Sequence, residues 1–327
     1  MSASRTTVTT IRNALSAAGR APSLHNIQPW RWVLDADELR LYLDRSRVLP
    51  SDRGGREAVI GCGAALDHLR VAIAAAGMNA IIERLPNPNN PDHLASIQFT
   101  PMSYVTDGHR LRAEAIWARH SDRLPLNPPS NWAAFEPVLR SRIKEYEVQL
   151  DVLPESARAR LAQASQLTES LRLYDSAYHA ELHRWAVPFA SSEGIPYDAL
   201  TSATETQRVD VGRRFPTPHH AERRAQISED RSMVAVLSTT TDTRVDALAA
   251  GEELSAVLLE CTMAGLSTCP LTHLTEVQVA RDIVETLLGT VTLPQVLVRI
   301  GTAPVAEDIA PRTPRRPLDD VLTVLDG

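Results

Sequence analysis

The sequence predicts an α+β chain built as two related halves, with mixed and antiparallel strands covered by helices. Three observations predict it. Short runs of alternating apolar and polar residues sit beside turn residues, the mark of half-buried strands. Two long alanine-rich apolar stretches lie far apart in the chain. Those stretches also echo each other at a fixed spacing, as an internal duplication would.

Residues 8–19 read as a short helix that stops near Gly19, ahead of Pro22. Trp30 to Leu34 and Leu39 to Leu43, joined by Asp35-Ala36-Asp37, read as a hairpin. An apolar helix covers about 56–76 and ends at Gly77, a good C-terminal glycine. Ile81 to Leu85 and Ala95 to Thr100 read as strands on either side of a Pro/Asn loop. Helices are expected at about 108–118 and 133–149, and Glu155 to Trp185 is helical in pattern. From Val187 to Pro218 the periodicity fails among Pro188, Pro196, Pro216 and Pro218, leaving a loop long enough to have a function of its own. Met233 to Thr239 reads as a strand, 247–264 as a helix ending at Gly265, 275–287 as a helix and Gln295 to Gly301 as a strand. The proline- and arginine-rich tail, Pro304 to Pro317, is expected to wrap the surface.

The echo rests on a few positions. A shift of 188 residues brings Gly63 onto Gly251, Leu66 onto Leu254 and Ala76-Gly77 onto Ala264-Gly265. The expected halves are 1–105 and 106–327, the second carrying the 187–218 insertion.

Composition narrows the function. The 327 residues carry a net charge of −6, so no global basic field points to nucleic acid. Lys144 is the only lysine among the 34 Lys and Arg residues. It has no neighbouring glycine, which removes a Walker phosphate loop, and it reads as a solvated helix position, which argues against Schiff-base chemistry. Arginine, a permanently charged fork, keeps anion binding open. Cys62, Cys261 and Cys269 lack C-x-x-C spacing and read as free thiols in a reducing cytosol. No uninterrupted apolar run suggests a membrane span, because Asp67, His68 and Arg70 break the best candidate. Ser2 to Arg20 resembles a transit peptide in composition but reads as the first helix.

Several motifs are set aside. Gly61-Cys62-Gly63 suggests a dinucleotide-binding turn with Glu83 downstream, but Leu66 stands where the third glycine is needed, and the residues read as helix-packing glycines. His179 and His183, at i and i+4, have no evident third metal ligand, and His219-His220 reads as loop, so no metal is expected. The informative string is Arg20-Ala21-Pro22-Ser23-Leu24-His25-Asn26-Ile27-Gln28-Pro29-Trp30, in which Pro22 stiffens a turn and Ser23 and Asn26 offer short polar groups with free backbone amides. Such a loop suits an anion or a polar ring.

Pro22-Ser23-x-x-Asn26-x-Gln28-Pro29-Trp30 resembles the P-S-x-x-N-x-Q-P-W segment of FMN-dependent nitroreductases. Three further strings agree: Arg119-His120-Ser121-Asp122-Arg123 resembles R-x-S-x-R, Cys269-Pro270-Leu271-Thr272-His273 lies just after the second long helix, and Arg315-Arg316 forms a late basic pair. The order of these elements departs from the family's, with P-S-x-x-N in the first half and the rest in the second. It resembles the Acg-like actinobacterial branch, in which one chain stands for a homodimer, implying a monomer. The reciprocal site looks lost, since Pro270 falls on Ile82 at the 188 shift and Arg5-Thr6-Thr7 is a poor substitute for R-x-S-x-R.

The resemblance implies a bound FMN. Arg119, Ser121, Arg315 and Arg316 would surround its phosphate, Pro22, Ser23 and Asn26 would close the site, and Arg123 would face the ring near N1 and O2. Cys269, Pro270, Leu271, Thr272 and His273 would border the ring, with the backbone amides from Leu271 onward reaching N5 and O4. No side chain is implied as catalytic, because the chemistry belongs to flavin N5. The implied activity is reduction of a nitro compound or quinone by NADH or NADPH, in the cytoplasm. The alternative is a non-catalytic FMN-binding or sequestering protein whose insertion acts as a closed lid.

Overall fold

The computed structural model describes residues 5–36, 38–143, 147–187, 191–218, 221–304 and 313–325, with the side chains of 5–7 left out. Lys144, Pro188, His219, His220 and most of the 304–317 tail lie outside the described residues, so the expectations placed on them are not addressed.

The chain opens with helix α1 (Arg5–Ala18), the hairpin β1 (Trp30–Asp35) and β2 (Glu38–Leu43), and helix α2 (Arg56–Ala75). Strands β3 (Met78–Arg84) and β4 (His93–Pro101) come next, then α3 (Asp107–Ala118) and α4 (Trp132–Arg140). They lead into β5 (Gln149–Leu153), α5 (Arg158–Leu171) and α6 (Ser176–Trp185). The insertion holds β6 (Ala186–Val187), β7 (Ile195–Pro196) and α7 (Ala203–Gln207). The chain then runs through β8 (Met233–Thr239), α8 (Arg244–Met263), β9 (Ser267–Leu271), α9 (Gln278–Leu288) and β10 (Leu293–Gly301), and ends in α10 (Leu318–Val321) and β11 (Leu322–Leu325).

These elements form two compact units. The first comprises Met1–Arg119, Thr243–Leu259 and Arg315–Gly327; the second comprises His120–Asp242 and Glu260–Pro314. The units interleave along the chain, whereas the expected halves are consecutive.

The first unit is built on a five-stranded sheet in the order β11-β1-β2-β4-β3. The expected hairpin is present, with Trp30 opposite Leu43 and Asp35 opposite Glu38. β11 pairs parallel with β1, which makes the sheet mixed. Trp30, Trp32, Leu39 and Leu41 are buried beneath α2 and its neighbours, supplying the large apolar areas that stabilise a core. α2 is the one described helix long and apolar enough to cross a membrane, but 78% of its most apolar window is buried inside the protein, as expected of a core helix.

α2 and α8 meet backbone to backbone. A Cβ on Gly63 would stand 2.1 Å from the Leu248 carbonyl oxygen, and one on Gly251 would stand 2.0 Å from the Ile60 carbonyl oxygen. One turn on, the Ser255 hydroxyl donates to Asp67 at 2.6 Å. Ile60 and Leu248, Gly63 and Gly251, and Asp67 and Ser255 are each related by the 188 shift. Reciprocal contacts between equivalent residues are what a twofold axis produces. The Gly61-Cys62-Gly63 string lies inside α2, and its glycines serve close packing.

The second unit has a four-stranded sheet, β5-β8-β10-β9, with antiparallel pairing throughout. Two sequence expectations need correction here, and the tail adds elements that were not expected. The helix expected over 133–149 stops at Arg140, and Gln149–Leu153 is a strand pairing with β8, so tertiary pairing overrides a helical pattern. Residues 267–271, expected to be loop, form edge strand β9, where Pro270 is tolerated. The last residues form α10 and β11. The helical run from 155 to 185 is two helices, the second capped by Asp175 accepting from the Tyr178 amide.

Gly63→Ala and Gly251→Ala should each destabilise the protein by about 1–3 kcal/mol or more, because the methyl group meets backbone. Gly108→Ala, whose Cβ would meet only the Thr106 side chain at 3.6 Å, should be neutral or stabilising by up to about 1 kcal/mol. Urea denaturation midpoints separate the two classes; equal effects would rule out the close crossing.

Candidate functional site

In the first unit the Pro22–Gln28 loop is a strained turn. His25, Asn26 and Gln28 all have positive φ, at 50°, 59° and 51°. Non-glycine residues held there cost about 1–3 kcal/mol each and persist only where surroundings impose them. The surroundings are visible. Ser23 Oγ accepts from the Gln28 amide at 3.0 Å, and Gln28 Oε1 accepts from the Arg316 amide at 2.8 Å. Arg47 donates to the Ile27 carbonyl. Gly61 of α2 lets the loop approach, since a Cβ there would lie 3.2 Å from Ser23 Cβ. The expected free amides are corrected: those of Asn26, Ile27 and Gln28 bond Ser23 O, Leu24 O and Ser23 Oγ, because the turn uses them itself.

The end of α1 collects arginines. Arg119 Nη1 donates to the Arg20 carbonyl at 2.8 Å, and Arg315 Nε donates to the Gly19 carbonyl at 2.8 Å and Nη2 to the Arg20 carbonyl at 3.2 Å. The C-terminal carbonyls of a helix attract cations. Arg119 is buried, and its Nε has no hydrogen-bond partner among the described residues. Burial, then the charge of Arg20, pulls its pKa down to about 10. Burial, then Arg20 and Arg119, holds the Arg315 pKa well below the ordinary arginine value. Arg119 and Arg315 thus share the main-chain carbonyls of Gly19 and Arg20, and the charge of Arg20 acts on both, an arrangement suited to an anion. Arg316 lies beside the loop, its guanidinium 3.5 Å from the Gln28 carbonyl and 3.0 Å from that of Asp320.

In the second unit Ser121 bridges Thr268 of β9, and the Asp122 amide donates to the Thr268 carbonyl at 2.8 Å. Buried ion pairs fix the chain beyond Ser121. Arg224 grips both Asp122 oxygens, at 3.1 and 2.8 Å. Asp230 accepts from Arg299 Nη2 at 2.6 Å and from the Leu126 amide at 2.9 Å, while Arg299 also donates to the Leu124 carbonyl. Burial opposes ionisation of Asp230, yet Arg299 and its other partners hold its pKa below the ordinary carboxylate value.

Arg123 itself is engaged by the insertion, donating to the Ala199 carbonyl at 3.3 Å with its guanidinium 5.5 Å from the Phe215 ring centroid. Cys269 is buried in β9 beside Pro270 and Leu271. Thr272 Oγ1 donates to Glu276 at 2.7 Å and accepts from Arg213 at 3.3 Å, and Arg213 also pairs with Glu276. His273 is buried with Nε2 2.8 Å from Ser165 Oγ; burial, then the Arg213 charge, lowers its pKa to about 3.

Of the residues singled out in the sequence, Pro22, Ser23, Asn26, Arg119, Arg315 and Arg316 therefore belong to the first unit, and Ser121, Arg123 and Cys269 to His273 belong to the second. Sequence reading did not assign Arg20, Gln28, Arg213 or Phe215 a role. Arg20 and Gln28 stand inside the quoted string and were within reach; Arg213 and Phe215 sit in an aperiodic insertion with no local signal. Among the described residues no three His, Cys, Asp or Glu side chains converge as a metal site requires; His179 instead lies 3.2 Å from the Leu173 carbonyl.

Comparison with known proteins places the family. The chain is 54% identical over 322 residues to "Putative NAD(P)H nitroreductase acg" of Mycobacterium tuberculosis, covering 98% of this chain and 97% of that one. A second M. tuberculosis protein bearing an NAD(P)H nitroreductase name is 34% identical over 96% of this chain and 91% of its own. A crystal structure of "a putative nitroreductase" from Anabaena variabilis matches with a TM-score of 0.50 at 9% identity, covering 90% of this chain and 88% of that one, a likeness of fold alone. No family model matches the chain.

Asp230→Asn, which leaves the Arg299 charge buried without its counter-charge, should cost about 3–5 kcal/mol in urea denaturation. His68 and His273 are both neutral in the fold, with pKa values near 3 against about 6.5 unfolded. The unfolded chain therefore binds protons that the folded one refuses, and stability falls as pH drops from about 6.5 towards 3. Tm of the cofactor-free protein should be lower at pH 5 than at pH 7, and His273→Gln should shrink that difference; a flat profile would contradict buried neutral imidazoles.

Proposed function

Because the chain belongs to the nitroreductase family, in its Acg-like branch, we propose that it is an FMN-dependent oxidoreductase that uses NADH or NADPH to reduce a small aromatic acceptor, a nitro compound or quinone. The observation that carries this reading is the meeting of Arg119 and Arg315 on the Gly19 and Arg20 carbonyls at the end of α1, with the charge of Arg20 acting on both. A phosphate monoester carries about −1.5 to −2 charge, which suits such a group of arginines. Bound FMN supplies the two-electron relay between nicotinamide and acceptor. The protein's residues hold and orient it.

In the first unit the arginines grip the phosphate, and Ser23, Asn26 and Pro22 present the strained loop to the ligand, held by Gln28 and Arg316. In the second unit Ser121 and the Cys269 to His273 segment are assigned to the flavin on the resemblance of their motifs, as is Arg123. Duplication of an ancestral half is part of the proposal, supported by the reciprocal contacts of Gly63 with Gly251 and of Asp67 with Ser255. So is a monomer, since one chain would carry both halves. A cytoplasmic location rests on Cys62, Cys261 and Cys269 being free, buried thiols.

One set of contacts favours a second reading, that of an FMN-holding protein without turnover. Within the second unit the insertion is tied to residues assigned to the flavin, through Ala199 and Phe215 to Arg123 and through Arg213 to Thr272. Arg223 to Glu205 and Arg158 to Asp210 fasten it further.

Purified protein should show a flavin visible spectrum and release FMN on denaturation. Arg119→Ala and Ser23→Ala should weaken FMN binding, the former by roughly tenfold or more, as loss of a charged hydrogen bond implies. In stopped-flow mixing, NADH or NADPH should bleach the bound flavin and a nitro compound or quinone should restore it. Flavin that dithionite reduces and NAD(P)H does not would establish the second reading, and a colourless protein that ignores added FMN would end both.

A further inference from the structure

Within the first unit one polar group near the arginines has no assigned role. Ala17, Val71, Ala115 and Ile116 pack in a single apolar cluster at the meeting of α1, α2 and α3. One helical turn from these residues stand Arg20, His68 and Arg119, at Ala17 plus three, Val71 minus three and Ile116 plus three. Packing that joins the cluster brings His68 of α2 towards the arginine groups. The imidazole is fully buried, and its Nε2 has no hydrogen-bond partner among the described residues.

The hydrogen-bond network fixes which ring nitrogen carries the proton. Ser255 Oγ has one proton, which it donates to Asp67 Oδ2 at 2.6 Å. Asp67 is held ionised, its pKa lowered against burial by Arg70 and Ser255. Ser255 therefore offers only lone pairs to His68 Nδ1, 2.8 Å away, so Nδ1 bears the hydrogen and Nε2 is a bare acceptor. Burial, then Arg119, keeps the ring neutral, with Arg315 adding to the effect and Asp67 opposing it. The charged groups that act on the ring are thus Arg119 after α3, Arg315 of the C-terminal segment and Asp67 of its own helix, with Arg20 after α1 joined to the two arginines.

We propose that His68 is a proton-sharing ligand of the anion seat: when a phosphate monoester dianion settles among Arg20, Arg119 and Arg315, His68 Nε2 takes up one proton from solvent and shares it with a phosphate oxygen. This rests on the FMN reading above. Two bare acceptors, a dianionic oxygen and a buried imidazole nitrogen, repel unless a proton lies between them, and the arriving negative charge offsets both the burial and the Arg119 and Arg315 charges that oppose protonation of the ring. The device has one copy. At the 188 shift Asp67 and His68 fall on Ser255 and Ala256, so the equivalent position in the other half has no titratable group, in keeping with a single site.

The test is calorimetric titration of FMN into the full-length, cofactor-free protein at pH 8, repeated in buffers of different ionisation enthalpy. The free phosphate is then a dianion, since its second pKa is about 6. The apparent heat should vary with the buffer, reporting uptake of about one proton per FMN bound. Riboflavin, which lacks the phosphate, should show no uptake. His68→Gln should bind FMN about tenfold more weakly and lose the buffer dependence. Binding without proton uptake, uptake retained in His68→Gln, or the same uptake with riboflavin would each overturn the role of His68 while leaving the FMN reading intact. No FMN binding by the wild-type protein would overturn that reading instead. Should His68→Gln not fold, the wild-type imidazole carbon shifts decide, by moving or failing to move to imidazolium values as FMN is added.

Discussion

The first unit depends on α2 and α8 crossing with no side chain between them. Gly63 and Gly251 each face a carbonyl oxygen at a distance no Cβ tolerates, so the crossing fixes the axial register of both helices to within a fraction of a turn. Much else takes its position from α2. Gly61, two residues before the crossing, leaves room for Ser23; Asp67, four residues after it, meets Ser255; and Val71, two turns after it, packs on α1 and α3. A shift of one residue would turn a different face towards each of these partners, since successive helix positions differ by about 100°.

Local rules are broken around the Pro22–Gln28 loop, and together. Positive φ angles at three non-glycine residues, arginines drawn into like-charged company and a desolvated imidazole nitrogen are each unfavourable alone. Departures of this kind collect where binding is the purpose. The fold supports them with ordinary means. Helix-end carbonyls at Gly19 and Arg20 take the guanidinium hydrogens, and a glycine lets the strained turn rest on a helix. In the second unit the same economy appears as ion pairs: Asp122 with Arg224 and Asp230 with Arg299 immobilise a segment that has little regular structure of its own.

Much of this was legible in the sequence, for identifiable reasons. The hairpin from Trp30 to Leu43 shows period-2 alternation over a two-sided strand pair, and α2 and α8 declare themselves by length and by Gly77 and Gly265, both of which adopt positive φ. The 188-residue spacing of Gly63 and Gly251 is visible in the sequence without their contact. β5 and β9 were hidden because each is a short strand defined by its partner, with Val152 opposite Ala235 and Cys269 opposite Arg299, and a helical or loop-like local pattern. β11 was missed although Val321 to Leu325 is apolar at four of five positions, because the partner that makes it a strand, β1, is distant in the sequence. Within the site, the motif residues could be named, but the use of the turn's own amides could not be read from residue types. Neither could the company of Arg20 or the insertion's grip on Arg123 through Phe215, since each depends on residues distant in sequence.

The two readings of the function lie on one energetic scale. Releasing the insertion from Arg123 and Thr272 means separating Arg213 from Glu276, both nearly fully buried, and Arg223 from Glu205. Each ~1.4 kcal/mol by which such contacts favour the closed arrangement lowers the open fraction about tenfold. Turnover then scales with the open fraction, and whatever the insertion covers dissociates correspondingly slowly. On the proposed second reading, firm holding of the ligand and reluctant reaction would have the same cause. On the proposed reading an anion held by Arg119 and Arg315 works in the same direction, because ligand binding to the native state alone raises stability by mass action.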